Sequence, residues 1–177
     1  MSKRIVMVIA PDQFRDEELH VPRDLFRKEG WHVDTVSTQA GAATGMLGAT
    51  ENIQLTLEDI VAENYDAAIV VGGMGSMAYL WPNTQLHDLL KTVARTGKIV
   101  GAICISGAVL ANAGLLRGKK ATVWETPETL EALQLGGAQY TGEACTTDGN
   151  IVTANGPEAA EVFGKAVAER VKTLTTV

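Results

Sequence analysis

Three short, almost wholly apolar runs constrain the fold of this 177-residue chain more than any other feature. They span residues 3–10, 67–71 and 99–103, and they end at Pro-Asp, at Gly-Gly and at a cysteine. Runs of this length that are rich in β-branched residues are typical of strands buried on both faces. The chain therefore predicts a central sheet that is covered by other elements on both sides.

Helical stretches lie between these runs. Residues 15–29 and 83–96 are each followed by glycine, a common signal for the end of a helix. Alternating strands and helices favour a mostly parallel sheet in an α/β domain, which we expect to span residues 1–177. The remaining predicted elements are a strand at 31–36, a loop or hairpin excursion at 41–57, short strands at 121–123 and 151–153, and a closing helix at 159–174.

Charge and composition exclude several classes of function. The formal net charge is -6, and no basic stripe suggests a nucleic-acid partner. No apolar run approaches the roughly 18 residues of a membrane helix, and the N-terminus leads into a strand without a signal-type cleavage site. The two cysteines, Cys104 and Cys145, are too few for a disulfide scaffold and lack zinc-ligand spacing. We expect a cytoplasmic domain with free thiols.

Cys104 follows a buried strand and precedes a helix that is predicted to begin near Ser106. A side chain on such a strand-to-helix elbow is presented at the carboxyl edge of the sheet, where α/β folds bind their ligands. A helix N-terminus there would favour the thiolate over the thiol. Position alone leaves the alternative of a buried, inert cysteine equally open.

Glu18 lies on the apolar face of the first predicted helix, where an unpaired carboxylate is costly. It shares that face with four apolar residues: Leu19, Pro22, Leu25 and Phe26. The opposite face, predicted to be solvated, carries Asp16, His20, Arg23 and Arg27. Pro22 removes the N–H that would bond the carbonyl of Glu18, so we expect a disturbed turn. The arrangement favours a proton donor or acceptor over a carboxylate paired with a distant cation or an exposed helix edge.

Backbone N–H groups after the second buried strand complete the predicted site. The pair Gly72-Gly73 allows close backbone approach, and its amides together with that of Ile105 could form an oxyanion hole. The segment lacks the Lys-Ser/Thr ending of a phosphate loop and the glycine spacing of a dinucleotide site. None of the three histidines adjoins Cys104 in sequence, and each is predicted to lie on the surface.

These residues occur in an order that resembles the ThiJ/PfpI superfamily, the family of the Parkinson-disease protein deglycase, which is class I glutamine amidotransferase-like. The resemblance covers nearly the whole chain. It rests on the segments Phe14-Arg15-Asp16-Glu17-Glu18-Leu19 with Pro22, Val71-Gly72-Gly73, Gly101-Ala102-Ile103-Cys104, the stretch 113–122 and the closing stretch 148–157. It implies a flavodoxin-like three-layer sandwich with a central, mostly parallel sheet and a nucleophile elbow.

The resemblance also implies roles for single residues. Cys104 corresponds to the nucleophile, Glu18 to the buried acid that hydrogen-bonds it, and the amides of Gly73 and Ile105 to the oxyanion site. Members of the superfamily usually form homodimers, and PfpI-type members form rings of dimers. The resemblance therefore implies a homodimer or a ring of dimers that acts on a small-molecule substrate. No cofactor or metal is implied.

Two departures from the family pattern concern histidines. Ile105 stands where PfpI-type peptidases carry the histidine that follows the cysteine, which places peptidase chemistry in doubt. Trp124 stands where deglycase-type members carry a more distant histidine. We expect Trp124, Gly72 and Met74 to contribute to the substrate pocket.

The sequence therefore predicts a cysteine-dependent, glyoxalase-like or deglycase-like enzyme acting on small reactive carbonyls, with Cys104 as nucleophile and Glu18 as proton shuttle. The alternative is a redox-responsive or chaperone-like stress protein in which Cys104 is oxidised to a sulfinate. An isonitrile-hydratase-like lyase and a PfpI-type peptidase are further alternatives.

Overall fold

The computed structural model describes residues 2–174. The strands, in chain order, are β1 (Arg4–Val8), β2 (Asp12–Phe14), β3 (His32–Ser37), β4 (Gly41–Gly45), β5 (Thr50–Ile53), β6 (Leu55–Thr56), β7 (Ala67–Val70), β8 (Ile99–Ile103), β9 (Lys120–Ala121), β10 (Gln139–Tyr140), β11 (Cys145–Asp148) and β12 (Ile151–Ala154). The α-helices are α1 (Asp16–Lys28), α2 (Ser76–Tyr79), α3 (Thr84–Arg95), α4 (Gly107–Asn112), α5 (Pro127–Leu135) and α6 (Ala160–Lys172). Within residues 2–174 no helix is long and apolar enough to cross a membrane.

Seven strands form the central sheet in the order β11-β12-β8-β7-β1-β3-β6. All neighbouring pairs are parallel except β11 with β12, which are antiparallel. The three apolar runs of the sequence are β1, β7 and β8, side by side at the centre. The predicted α/β sandwich with a mostly parallel sheet is therefore confirmed. The carboxyl ends of these central strands lie at one edge, where the predicted site should assemble.

The sheet carries a hydrophobic core on each face because successive strand residues point to opposite sides. Along β1, Val6 and Val8 join the core formed with α3, α4 and α5. Ile5 and Met7 join the core formed with α1 and α6. Side chains in the middle of β1, β7 and β8 are buried on both faces, which explains the apolar runs.

The glycine-rich excursion is a hairpin, β4–β5, which pairs with β2 in a small second sheet beside α1. This hairpin overturns part of the helix prediction. Asp16 and Arg23 were expected on a solvated face, but they are only 7% and 9% exposed. Asp16 accepts hydrogen bonds from the hairpin, and Arg23 forms an ion pair with Glu51 of β5. A helix wheel cannot anticipate this, because the cover comes from a separate segment.

Other departures concern marginal elements. Helix α1 runs unbroken through Pro22, so the expected disturbance does not interrupt it. The predicted strand at 121–123 is a two-residue strand, β9, that pairs only with β10. Helix α5 and the edge strand β11, which contains Cys145, were not predicted from the sequence.

Candidate active site

Cys104 occupies the turn between β8 and α4 in a strained conformation. Its φ angle is +64°, in the left-handed region that non-glycine residues rarely adopt. Such a conformation costs on the order of 1–3 kcal/mol and persists only where surrounding contacts enforce it. A 3₁₀ turn, Cys104–Ser106, leads from the strand into the helix. This is the elbow expected from the sequence, with the thiol held at the carboxyl edge of the sheet.

The Gly72-Gly73 segment after β7 passes directly against the elbow. A Cβ on Gly72 would come within 2.6 Å of Cβ of Cys104 and 2.5 Å of Oε1 of Glu18. Gly73 has a φ angle of +110°, and a Cβ there would collide with the backbone of Gln13 and Arg15. Both positions therefore require glycine, because the chain segments before α1 and around the thiol approach too closely for a side chain.

Glu18 is completely buried and only half satisfied. Its Oε1 accepts a hydrogen bond from the backbone N–H of Gly72 at 3.0 Å. Its Oε2 is buried without a hydrogen-bond partner among the described residues. Gly72 lies against both Oε1 of Glu18 and Cβ of Cys104. The carboxyl group and the thiol each shift the pKa of the other. An unsatisfied buried carboxyl oxygen is uncommon and points to a reactive group or a displaced ligand.

The protonation state of this pair differs from the sequence expectation. Burial raises the pKa of Glu18 to about 8, despite opposing hydrogen bonds from Cys104 and Gly72. Burial and the nearby Glu18 charge raise the pKa of Cys104 to about 12. The expectation that a helix N-terminus favours the thiolate is therefore wrong for the resting site, because α4 has only six residues and burial outweighs it. Both shifts favour the protonated form of each group.

Two backbone N–H groups, those of Ile105 and Gly73, act on the Cys104 thiol. They lower its pKa, against the larger effect of burial. They belong to the two segments that converge here, the elbow and the glycine loop. Donors in this arrangement can stabilise negative charge that develops on or beside the sulfur during a reaction.

A buried pair of serines ties the same two segments together. The hydroxyl oxygens of Ser76 and Ser106 are 2.6 Å apart, and Ser106 donates to the carbonyl oxygen of Val71 at 2.7 Å. Both serines are completely buried. The pair fixes the glycine loop against the elbow. Neither serine was predicted from the sequence as part of the site.

A small, largely apolar pocket of about 190 Å³ opens over Cys104. Of the predicted lining residues, Met74 and Trp124 contribute to its wall, as do Gly73 and Ile105. Gly72 does not, because it is buried behind the wall, where its N–H serves Glu18. Three further lining residues were missed: Arg15, Met46 and Pro157. Arg15 follows the first strand closely, so it could have been predicted from the rule that ligands bind at the carboxyl ends of strands. Met46 reaches the pocket only because the hairpin folds against it.

Trp124 is held at the pocket by its own backbone. Its N–H donates to the carbonyl oxygen of Cys104 at 3.2 Å, and its ring lies against Gly156, where a Cβ would come within 2.7 Å. The indole is half exposed. It therefore covers one side of the thiol with an apolar surface instead of a histidine.

None of the three histidines, all within residues 2–174, lines this pocket. His32 contacts Asp34, His87 contacts the carbonyl oxygen of Trp81, and His20 lies near Glu51. Their predicted surface positions agree with their partial or full exposure. Across the described residues, no group of three His, Cys, Asp or Glu side chains is arranged to hold a metal ion.

Comparisons with known proteins identify the family of this chain. A protein of Methanocaldococcus jannaschii named as uncharacterized is 45% identical over 171 residues, 97% of this chain and 83% of that protein. Protein/nucleic acid deglycase 2 of Escherichia coli is 30% identical over 167 residues, 93% of this chain and 95% of that protein. The crystal structure of a ThiJ/PfpI domain protein from Brachyspira murdochii has 31% identity and a TM-score of 0.92, covering 98% of this chain and 99% of that one. The model of the DJ-1/PfpI family matches residues 3–170, so the chain belongs to the DJ-1/PfpI family.

Proposed function

We propose that this protein is a cofactor-independent enzyme that converts small reactive carbonyl compounds, in the manner of a glyoxalase or deglycase. The observation that supports the proposal is that Cys104 and the buried carboxyl group of Glu18 both lie against Gly72, and that a small pocket opens at Cys104. The relative from Escherichia coli that is named a deglycase supports the same class of chemistry.

The reaction begins with addition of the thiol to an aldehyde carbon. The sulfur–carbon bond forms while the thiol proton passes through Glu18 to the aldehyde oxygen, giving a hemithioacetal. The N–H groups of Gly73 and Ile105 are suited to stabilising the negative charge on that oxygen as it forms. Only the pair that has lost one proton can perform the first step, because a neutral Glu18 cannot accept the thiol proton.

For a dicarbonyl substrate such as methylglyoxal, a rearrangement completes the conversion. The hydrogen on the former aldehyde carbon moves to the neighbouring carbon by way of Glu18, leaving a thioester on Cys104. Water then hydrolyses the thioester to lactate and the free thiol. The net reaction consumes one water and needs no oxidant, reductant or metal ion.

The test is production of lactate from methylglyoxal by the reduced protein and by three variants. We expect turnover by the wild type, and loss of at least about a hundredfold in Cys104→Ser and Glu18→Gln. Cys145→Ser is the matched control, since this second thiol lies on the edge strand β11, and it should keep wild-type activity. Full turnover by Cys104→Ser, or none by the wild type, contradicts the proposal.

A second candidate is a redox role for the same thiol, favoured by the unpartnered Oε2 of Glu18. A neutral Glu18 has a proton to donate to an oxidised sulfur, which would stabilise a sulfinate on Cys104. The raised pKa of the Cys104 thiol, caused mainly by burial, opposes fast oxidation. Mass spectrometry after mild peroxide treatment tests it, and a lack of selective oxygen addition at Cys104 would exclude this role.

A further inference from the structure

Arg15 is the one charged residue among those that line the pocket over Cys104, all of them within residues 2–174. It lies at the N-terminal end of α1, where its backbone N–H donates to the carbonyl oxygen of Gly72 at 2.9 Å. This bond anchors the residue to the same glycine loop that supports Glu18. The side chain is 29% exposed, and the residue lines both this pocket and the neighbouring groove.

One nitrogen of the guanidinium, Nε, already forms an ion pair. Nε of Arg15 donates to Oε2 of Glu17 at 2.6 Å, and this is its sole ion pair in the described part of the chain. Glu17 lines a neighbouring groove and not the pocket itself. The carboxylate therefore fixes the orientation of the side chain through Nε, and the two Nη nitrogens form no hydrogen bond with residues 2–174.

The charge of Arg15 affects the pKa of the reacting groups. The hydrogen bond to Glu17 raises the pKa of Arg15 against the effect of burial, and attraction to Glu18 and Cys104 adds to it. The same attraction lowers the pKa of Glu18, although burial dominates there. Arg15 is therefore a fixed cation within electrostatic reach of the sulfur, in a pocket whose other walls are uncharged.

We propose that Arg15 binds the carboxylate of a small oxo-acid substrate whose carbonyl carbon is attacked by Cys104. This substrate class rests on the proposed function. A planar guanidinium matches a carboxylate with two parallel N–H···O bonds, and it is desolvated at modest cost. A carboxylate fits better than a phosphate dianion, because no second cation lines the pocket. The volume of about 190 Å³ suits a small substrate.

Two alkylating reagents of nearly equal size test the charge preference without requiring turnover. Iodoacetate carries a carboxylate and iodoacetamide a neutral amide in its place. Both react with the sulfur by forming a sulfur–carbon bond, releasing iodide and losing the thiol proton to solvent. The ratio of their rates at Cys104, measured at pH 7 by peptide mass spectrometry, isolates the effect of the anionic group. Any change in the amount of thiolate affects both rates equally.

We expect Arg15→Gln to lower the iodoacetate-to-iodoacetamide ratio at Cys104 by about tenfold, since a charge-assisted hydrogen bond is lost. Arg15→Lys should retain part of the preference because it keeps the charge but not the fork. Arg27→Gln is the matched control: it makes the same charge change on the exposed far end of α1 and should leave the ratio unchanged. The ratio at Cys145 should be the same in every variant.

A ratio in Arg15→Gln within twofold of wild type overturns the inference, as does an equal fall in Arg27→Gln, which would indicate overall charge. A urea unfolding midpoint close to that of wild type verifies that the variant is folded. If the charge preference depends on Arg15 but the protein turns over no carbonyl compound, the proposed reaction is contradicted and the carboxylate site is supported. If the protein turns over carbonyl compounds but the iodoacetate-to-iodoacetamide ratio is the same in wild type and Arg15→Gln, the carboxylate site is contradicted and the reaction is supported.

Discussion

Two buried carboxyl groups on the same helix, Asp16 and Glu18, have opposite properties although they are two residues apart. Asp16 is 7% exposed, and both its oxygens accept backbone N–H groups, from Leu47 at 3.0 Å and Ala49 at 2.9 Å. Burial raises the pKa of Asp16, but these hydrogen bonds outweigh it, and the pKa is lowered. Glu18 is fully buried with one N–H donor, and its pKa is raised to about 8.

The difference shows that the balance between burial and hydrogen-bond donors sets the pKa of a buried acid. At Asp16 the donors outweigh burial, whereas at Glu18 burial outweighs them. Asp16 stays ionised and anchors the β4–β5 hairpin, which brings Met46 to the pocket. Glu18 has a raised pKa, and its Oε2 is buried without a hydrogen-bond partner among the described residues. One acid stabilises the scaffold, and the other stores a proton at the site.

The largest expected effect comes from removing the titration of Glu18. An unfolded chain ionises this group near pH 4.5 and the folded protein near 8, so the folded state holds more protons between these values and loses stability as the pH rises. Glu18→Gln cannot ionise, so its free energy of unfolding should exceed that of wild type by on the order of 4 kcal/mol above pH 8, and by little below pH 4.5.

Urea unfolding at pH 5, 7 and 9 measures this difference. Glu169→Gln, an exposed change of the same kind on α6, should show no comparable trend. An advantage of Glu18→Gln that stays constant across the pH range would contradict the raised pKa.

Asp16→Asn should have the opposite sign. The amide keeps one acceptor oxygen but places an NH₂ group against a backbone N–H, so one hydrogen bond to the hairpin is lost and a donor is left unsatisfied. We expect a loss of about 2 kcal/mol in the free energy of unfolding at pH 7. Asp24→Asn, exposed on the same helix, is the control for the charge change. Equal losses in the two variants would show that Asp16 is not the anchor we describe.

The smallest effect sharpens the comparison at the thiol itself. The rate of Cys104 alkylation by iodoacetamide should rise about tenfold per pH unit up to about pH 8 and more slowly just above it, because ionised Glu18 then raises the pKa of the thiol. Burial raises the pKa of Cys145 to about 11, so its rate should keep rising beyond pH 8 and serve as an internal control. In Glu18→Gln the bend near pH 8 should disappear. A bend at the same pH in that variant would assign it to another group.

Much of the fold could be predicted because its elements carry strong local signals. The buried strands β1, β7 and β8 and the helices α1, α3 and α6 were all expected within a few residues of their bounds. Elements with weak local signals were not predicted. Strand β2 has three residues, and β11 is an edge strand of mixed polarity. The apolar face of α1 also identified Glu18 as an unusual buried acid.

Local patterns in the sequence predict the strand-end positions of Cys104 and Gly73 and the burial of Glu18, because strand runs and helix periodicity are local properties of the chain. Only the tertiary structure decided the protonation of the pair, since the pKa values of Glu18 and Cys104 depend on burial and on donors from other segments. It also decided which residues of α1 are covered, because the hairpin that buries Asp16 and Arg23 lies elsewhere in the chain. Contacts between distant segments, which no local pattern encodes, turn this apolar scaffold into a candidate active site.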